Sequence, residues 1–203
     1  SKTYKKSPVR GSIILLIIGV SFLLYAYSTG ITGVTLKNGN GCDCHNPTPS
    51  GGVSVIISGP DTLLVNQSGQ YTVTISGGPL AAAGTNIAAS SGVLNIEGTG
   101  LQKIGDELTH TSPKTPSGGS VTFSFSYTAP ANQGNQTIYA NGNSVNLSGD
   151  NTGDQWNFAS NKTVVVLNEI PVEMQSFSAS VNKNAVVLTW LTATETNNKG
   201  FEI

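Results

Sequence analysis

In the stretch "SVTFSFSYTAP", residues 120–130, Val121, Phe123, Phe125 and Tyr127 alternate with Thr and Ser without a break. Successive side chains of an extended chain point to opposite faces, so this run has one apolar and one hydroxyl-bearing face and reads as a half-buried strand. The same period of two recurs in "VSVIIS" (53–58), which stops at Gly59-Pro60, and in "GQYTVTIS" (69–76). "NIAAS" and "GVLNIE" (86–97), "NQTIYANGNSV" (135–145) and "NKTVVVLN" (161–168) extend the series. About seven short strands separated by turn residues predict an all-β, immunoglobulin-like sandwich. Near Asn168–Pro171 the character changes, and strands near 175–182 and 185–192, joined by an Asn-rich turn at Asn182–Asn184, predict the start of a second β unit.

Composition agrees with an extracellular β protein. Only 10 % of the 203 residues are charged, while Gly alone accounts for 24, a profile of frequent turns and few solvated helices. The net charge of −1 hides an asymmetry: Lys2, Lys5, Lys6 and Arg10 are four of ten basic residues, leaving six against eleven acidic groups, or −5, beyond residue 10. No basic patch remains to neutralise a run of phosphates, which argues against nucleic acid as a partner.

The basic cluster precedes an uncharged apolar run from Ser12 to Tyr27. A basic flank and a short apolar core make an export signal, with Ala26-Tyr27-Ser28 as a cleavage site, or a retained anchor with its N-terminus in the cytoplasm. Either reading puts the rest of the chain outside the cytoplasm, as a secreted or cell-surface protein. The expected organisation is a signal or transmembrane segment over 1–29, a cysteine loop over 30–52, a sandwich over 53–168, and a second β unit from 169 that is cut at "KGFEI".

Both cysteines and one of the two histidines lie within four positions of the loop, as Cys42-Asp43-Cys44-His45. In an oxidising compartment two thiols are expected to be bridged, metallated or otherwise engaged.

Two parts of the chain resemble known families. The tail "IPVEMQSFSASVNKNAVVLTWLTATETNNKGFEI" resembles the segment that precedes the C-terminal sorting signal of type IX-secreted bacterial proteins, which implies export to the cell surface or medium. The body, residues 38–167, is similar to the Reeler-like "choice-of-anchor" extracellular sandwich domains. That likeness is carried by "GCDCH", "VSVIISGP", "GQYTVTISGG", "LTHTSP", "FSYTAP" and "YANGNSVNLSGDNTGDQW". Related domains often carry Cys-x-x-Cys-His where this chain has one residue fewer.

Three chemistries fit the loop. In c-type haem attachment two thiols bond the porphyrin and the following histidine ligates iron. An extended backbone would place Cys42 and Cys44 on one side, roughly 6.5 Å apart at Cα, within reach of two vinyl groups. His45 then becomes the proximal ligand, and His110 in "LTHT", the other histidine, the distal one. This leading expectation is haem c in a monohaem electron carrier, with redox proteins or a homo-oligomeric filament as partners. The second reading is a Cys42–Cys44 disulfide, a tight and labile ring. The third is a zinc or copper ion on Cys42, Cys44, His45 and His110. A function without any cofactor is the competing class: a cell-surface adhesion or structural module whose loop is only a clip.

Other motifs are weaker. "SGDNTGD" offers Asp150 and Asp154 as calcium ligands but lacks a complete calcium loop, and a Gly/Asp turn explains it more simply. Trp156, Phe158 and Met174 read as packing. No nucleophile-elbow motif supports a Ser/His/Asp set built on Asp106 and His110, and no carboxylate pair suggests glycoside hydrolysis.

Overall fold

The computed structural model describes residues 28–168, 173–183, 185–195 and 200. The expected export segment lies outside them, as do Glu169–Val172 and most of the final "TNNKGFEI". The described chain is all-β and divides after Leu167 into two compact units. Among the described residues no helix is long and apolar enough to cross a membrane.

The first unit is a two-sheet sandwich. One sheet has the order β1-β3-β8-β5, made of β1 (Val53–Ser58), β3 (Ser68–Gly77), β8 (Ser120–Thr128) and β5 (Val93–Ile96). The other has the order β2-β11-β9-β4-β7-β6. Its members are β2 (Thr62–Leu64), β11 (Lys162–Leu167), β9 (Gly134–Val145), β4 (Ala82–Ala89), β7 (Glu107–His110) and β6 (Leu101–Ile104), and β10 (Gln155–Phe158) pairs with the far end of β9. Among the described residues only β2 and β11 run parallel. The remaining pairs are antiparallel, as short turns favour.

The alternating runs bury the faces they predict. Tyr71, Val73 and Ile75 of β3 lie beside Phe125, Phe123 and Val121 of β8 in register, and all six are essentially inaccessible. The rings of Tyr71 and Phe125 stack at 5.7 Å, and Tyr127 meets Tyr71 edge-on at 6.1 Å. Both tyrosines reach the edge of the core, where Tyr71 Oη donates to Pro60 O and Tyr127 Oη to Ser91 O, each at 2.9 Å. Their hydroxyls are thereby satisfied, as buried phenols require.

The seven-stranded sheet departs from the expectation of one wet face. Every residue of β4 is buried. Its inner face, with Ala83, Ile87 and Ala89, belongs to the core. A Cβ on Gly142 of β9 would collide with Ile75 and Val55, so Gly142 marks the side of β9 that faces the other sheet. Asn141 and Asn143 therefore face outward, as do their β4 partners Asn86 and Gly84. That outer face is covered by residues 30–50.

The second unit is a hairpin of β12 (Glu173–Asn182) and β13 (Ala185–Thr194), with Phe177 opposite Trp190, Ala179 opposite Leu188 and Val181 opposite Val186. Met174 is 53 % exposed here, so it does not pack as the sequence suggested.

Candidate functional site

Residues 30–50 form a strap across the outer face of the seven-stranded sheet, held by side chains far away in sequence. Glu107 of β7 is the main anchor. Its carboxylate accepts from the backbone N–H of Gly33 (2.8 Å), from Asn86 Nδ2 (2.9 Å) and from Asn38 Nδ2 (3.5 Å). Asn86 Oδ1 takes the N–H of Val34 (3.1 Å), and Asn141 Nδ2 donates to Val34 O (2.5 Å). A carboxylate and two amides thus satisfy backbone groups of a segment with no strand partner, which is what lets a loop lie against a sheet face.

The strap fits closely. A Cβ on Gly41 would overlap the indole of Trp156, and one on Gly30 would overlap Thr109. Trp156 is 2 % exposed and donates Nε1–H to Asn46 O (2.6 Å). It packs beneath the strap, outside the central core cluster. Further along, Ser50 N donates to Trp156 O (2.7 Å) and Ser50 Oγ to Gln155 Oε1 (2.9 Å).

The cysteine–histidine set sits at the crest of this strap. The N–H of His45 donates to Cys42 O (2.8 Å), closing a turn with Asp43 and Cys44 at its corners. The turn sends the two thiols different ways. Cys42 is partly buried and its Sγ accepts from Asn141 Nδ2 (3.2 Å), whereas Cys44 is exposed. Burial, reinforced by Asp43 and Cys44, pushes the Cys42 thiol up to about 12. Both cysteines are free. The imidazole of His45 donates Nδ1–H to Asp154 Oδ2 (2.8 Å), and Asp154 Oδ1 takes the N–H of Asn146 (3.0 Å). Asn151 Nδ2 caps the carbonyl of Cys44.

His110 ends β7. Its ring lies where a Cβ of Gly84 would stand, and its Nδ1 is 3.1 Å from Thr85 N and 3.2 Å from Thr85 O, so either tautomer finds a partner. Beyond the Asn86–Thr109 pair the imidazole stands in for the missing strand neighbour of Thr85. Burial holds the His110 pKa below the usual histidine range; the Thr85 carbonyl opposes that shift and the charge of His45 adds to it.

These placements correct the cofactor expectation. Among the described residues no three His, Cys, Asp or Glu side chains are grouped so as to hold a metal ion, which removes the zinc or copper set on Cys42, Cys44, His45 and His110. Haem c is overturned with it. The Cys-Asp-Cys-His sequence is one residue short of the attachment motif, and its extended form, with both sulfurs on one side, is replaced by a turn that hides one thiol and exposes the other. The two calcium candidates have different partners. Asp154 is turned to His45, while Asp150 is exposed and its Oδ1 accepts from Thr152 N (2.9 Å) and Ser148 Oγ (3.1 Å). Those bonds, the backbone one first, lower its pKa.

Sequence reasoning passed over Glu107, Asn86, Asn141 and Trp156 as anchors. The available signal was polar residues at outer-face positions of strands, in "TNI", "DELTH" and "YANGNSV", where a fully wet face would need no fixed amides.

The fold and site define an all-β sandwich with a strapped outer sheet face. No protein-family model and no curated protein matches the sequence. Among solved structures, the chain is similar to the PKD domain of an M14-like peptidase from Thermoplasmatales archaeon SCGC AB-540-F20. The identity is 11 % and the TM-score 0.35, over 57 % of this chain and 94 % of that one.

Proposed function

We propose that this chain is a non-catalytic structural or adhesive β-sandwich module, exported and carried at the cell surface, in which residues 30–50 are a strap covering the β4 and β9 part of one sheet face. The observation that carries the reading is the Glu107–Asn86–Asn141 network, whose linked side chains hold the strap backbone at Gly33 and Val34. His45 is similarly committed to Asp154. The basic flank and apolar run before residue 28 support export, and the tail's likeness to type IX-secreted proteins supports delivery to the surface. The Reeler-like character of residues 38–167 supports an extracellular module.

Protease shaving of intact cells, followed by mass spectrometry of released peptides, tests location. Peptides from residues 53–167 are expected without lysis, and their release only after lysis refutes surface display. Deleting residues 30–46 tests the strap: exposing Trp156 and the outer face of β4 should destabilise the sandwich, and unchanged unfolding refutes a structural role.

A further inference from the structure

We propose that Cys42 and Cys44 form a reversible intramolecular bridge by exchange with a small-molecule disulfide, and that closing it draws Cys42 off Asn141 and loosens the strap. The proposal rests on the reading of residues 30–50 as a strap and adds a redox control to it.

The pair is suited to each other by sequence and to opposite roles by environment. They are the chain's two cysteines. Two residues apart, their Cα atoms are at most about 7 Å from each other even when extended, and the hydrogen-bonded turn through Cys42 O and His45 N shortens that span. A bridge is therefore within reach once the thiols rotate together. Cys44 is exposed and open to attack chemistry, whereas Cys42 is held under Asn141.

The exchange balances in two steps. The Cys44 thiolate attacks one sulfur of a small disulfide, forming a mixed disulfide and releasing one small thiolate, which takes up the Cys44 proton. The Cys42 thiolate then attacks Cys44 Sγ, forming the protein bridge and releasing the second small thiol with the Cys42 proton. The two protein thiols lose two electrons, and the small disulfide is reduced to two thiols.

Since the Cys42 thiol is raised to about 12 in place, it is protonated there and becomes a nucleophile only after leaving its pocket. Release of Cys42 from Asn141 and bond formation are thus coupled. The resulting ring is strained and readily reduced, which makes it a switch rather than a staple. A reporter is built in: Gly41, the residue before Cys42, lies against the ring of Trp156.

The test uses the full chain carrying Trp190→Phe, so that emission comes from Trp156, reduced and then mixed with oxidised glutathione. Intact mass should fall by two hydrogens with no glutathione retained, Trp156 emission should shift to the red, and dithiothreitol should reverse both. In Cys42→Ser the reaction should stop at a glutathione adduct on Cys44 with emission unchanged. In Asn141→Leu the second step should run several-fold faster. A wild-type product that remains a glutathione adduct or becomes a disulfide dimer overturns the proposal, as does a bridge that forms with Trp156 emission unmoved. The strap reading fails on a different measurement, the exchange of strap amides in Glu107→Ala, which involves no thiol chemistry.

Discussion

Replacing Glu107 by alanine removes the carboxylate that fastens the strap while leaving both sheets intact. Two of its bonds are short, to Gly33 N at 2.8 Å and Asn86 Nδ2 at 2.9 Å, and the third, to Asn38, is marginal at 3.5 Å. Hydrogen bonds to a charged group contribute about 1.5–3 kcal/mol each where water is excluded. Glu107 is only half-buried, and Asn86 Nδ2 keeps a second acceptor in Leu108 O at 3.1 Å, so the low end of that range applies to each. The expected loss is about 2–3 kcal/mol, divided between the strap at Gly33 and the β4–β7 contact through Asn86. Chemical denaturation reads the global part and amide hydrogen exchange the local part. Protection at Gly33 and Val34 should fall at least tenfold while that of β3 and β8 tracks global stability. Strap amides that keep wild-type protection, with a global change below about 0.5 kcal/mol, would refute the argument that these bonds hold the loop down.

Gly84→Ala places a methyl against the His110 ring, at 2.8 Å from two of its nitrogens, and should cost about 1–3 kcal/mol by overpacking. Adding His110→Ala should restore part of that loss, and denaturation of the double-mutant cycle reads the coupling. Because the folded-state pKa of His110 is depressed by burial, the unfolded chain binds more protons between that value and about 6.5. Stability is therefore complete above about pH 6.5 and falls as the pH drops through the window, by at most about 1.4 kcal/mol per unit. His110→Gln should flatten that slope in pH-dependent melting. Cys42 behaves oppositely: its folded value of about 12 lies above the ordinary thiol value of 9.0, so the unfolded chain gives up the proton first and stability drops as the pH rises past about 9. Cys42→Ser should remove that alkaline component from the wild-type profile.

Legibility in the sequence followed local period. The runs that became β1, β3 and β8 were readable because each alternates over at least six residues, and a half-buried strand writes that alternation directly, while β9 and β11 showed as β-branched and aromatic runs between turn residues. The three- and four-residue strands β2, β6, β7 and β10 are too short to show a period, and β5, equally short, was found only because Gly92 and Gly98 bracket its apolar run. β4 was only half recognised, from Asn86 onward. With both faces covered it has no alternation to display, and its small residues Ala82, Ala83 and Gly84 make room for neighbours instead.

The local sequence determined an all-β sandwich and the core-facing side chains of β1, β3 and β8, because the period of two and the Gly/Pro punctuation act over a few residues. Tertiary structure alone decided the fate of the cysteine loop. Its conformation is set by bonds from Glu107, Asn86, Asn141, Asp154 and Trp156, partners 52 to 110 residues away. No local pattern encodes such contacts, since the loop's own Gly, Asn and Pro allow many backbone paths and only the sheet beneath selects one. The same selection buries one thiol, exposes the other, and turns an apparent cofactor motif into the crest of a strap.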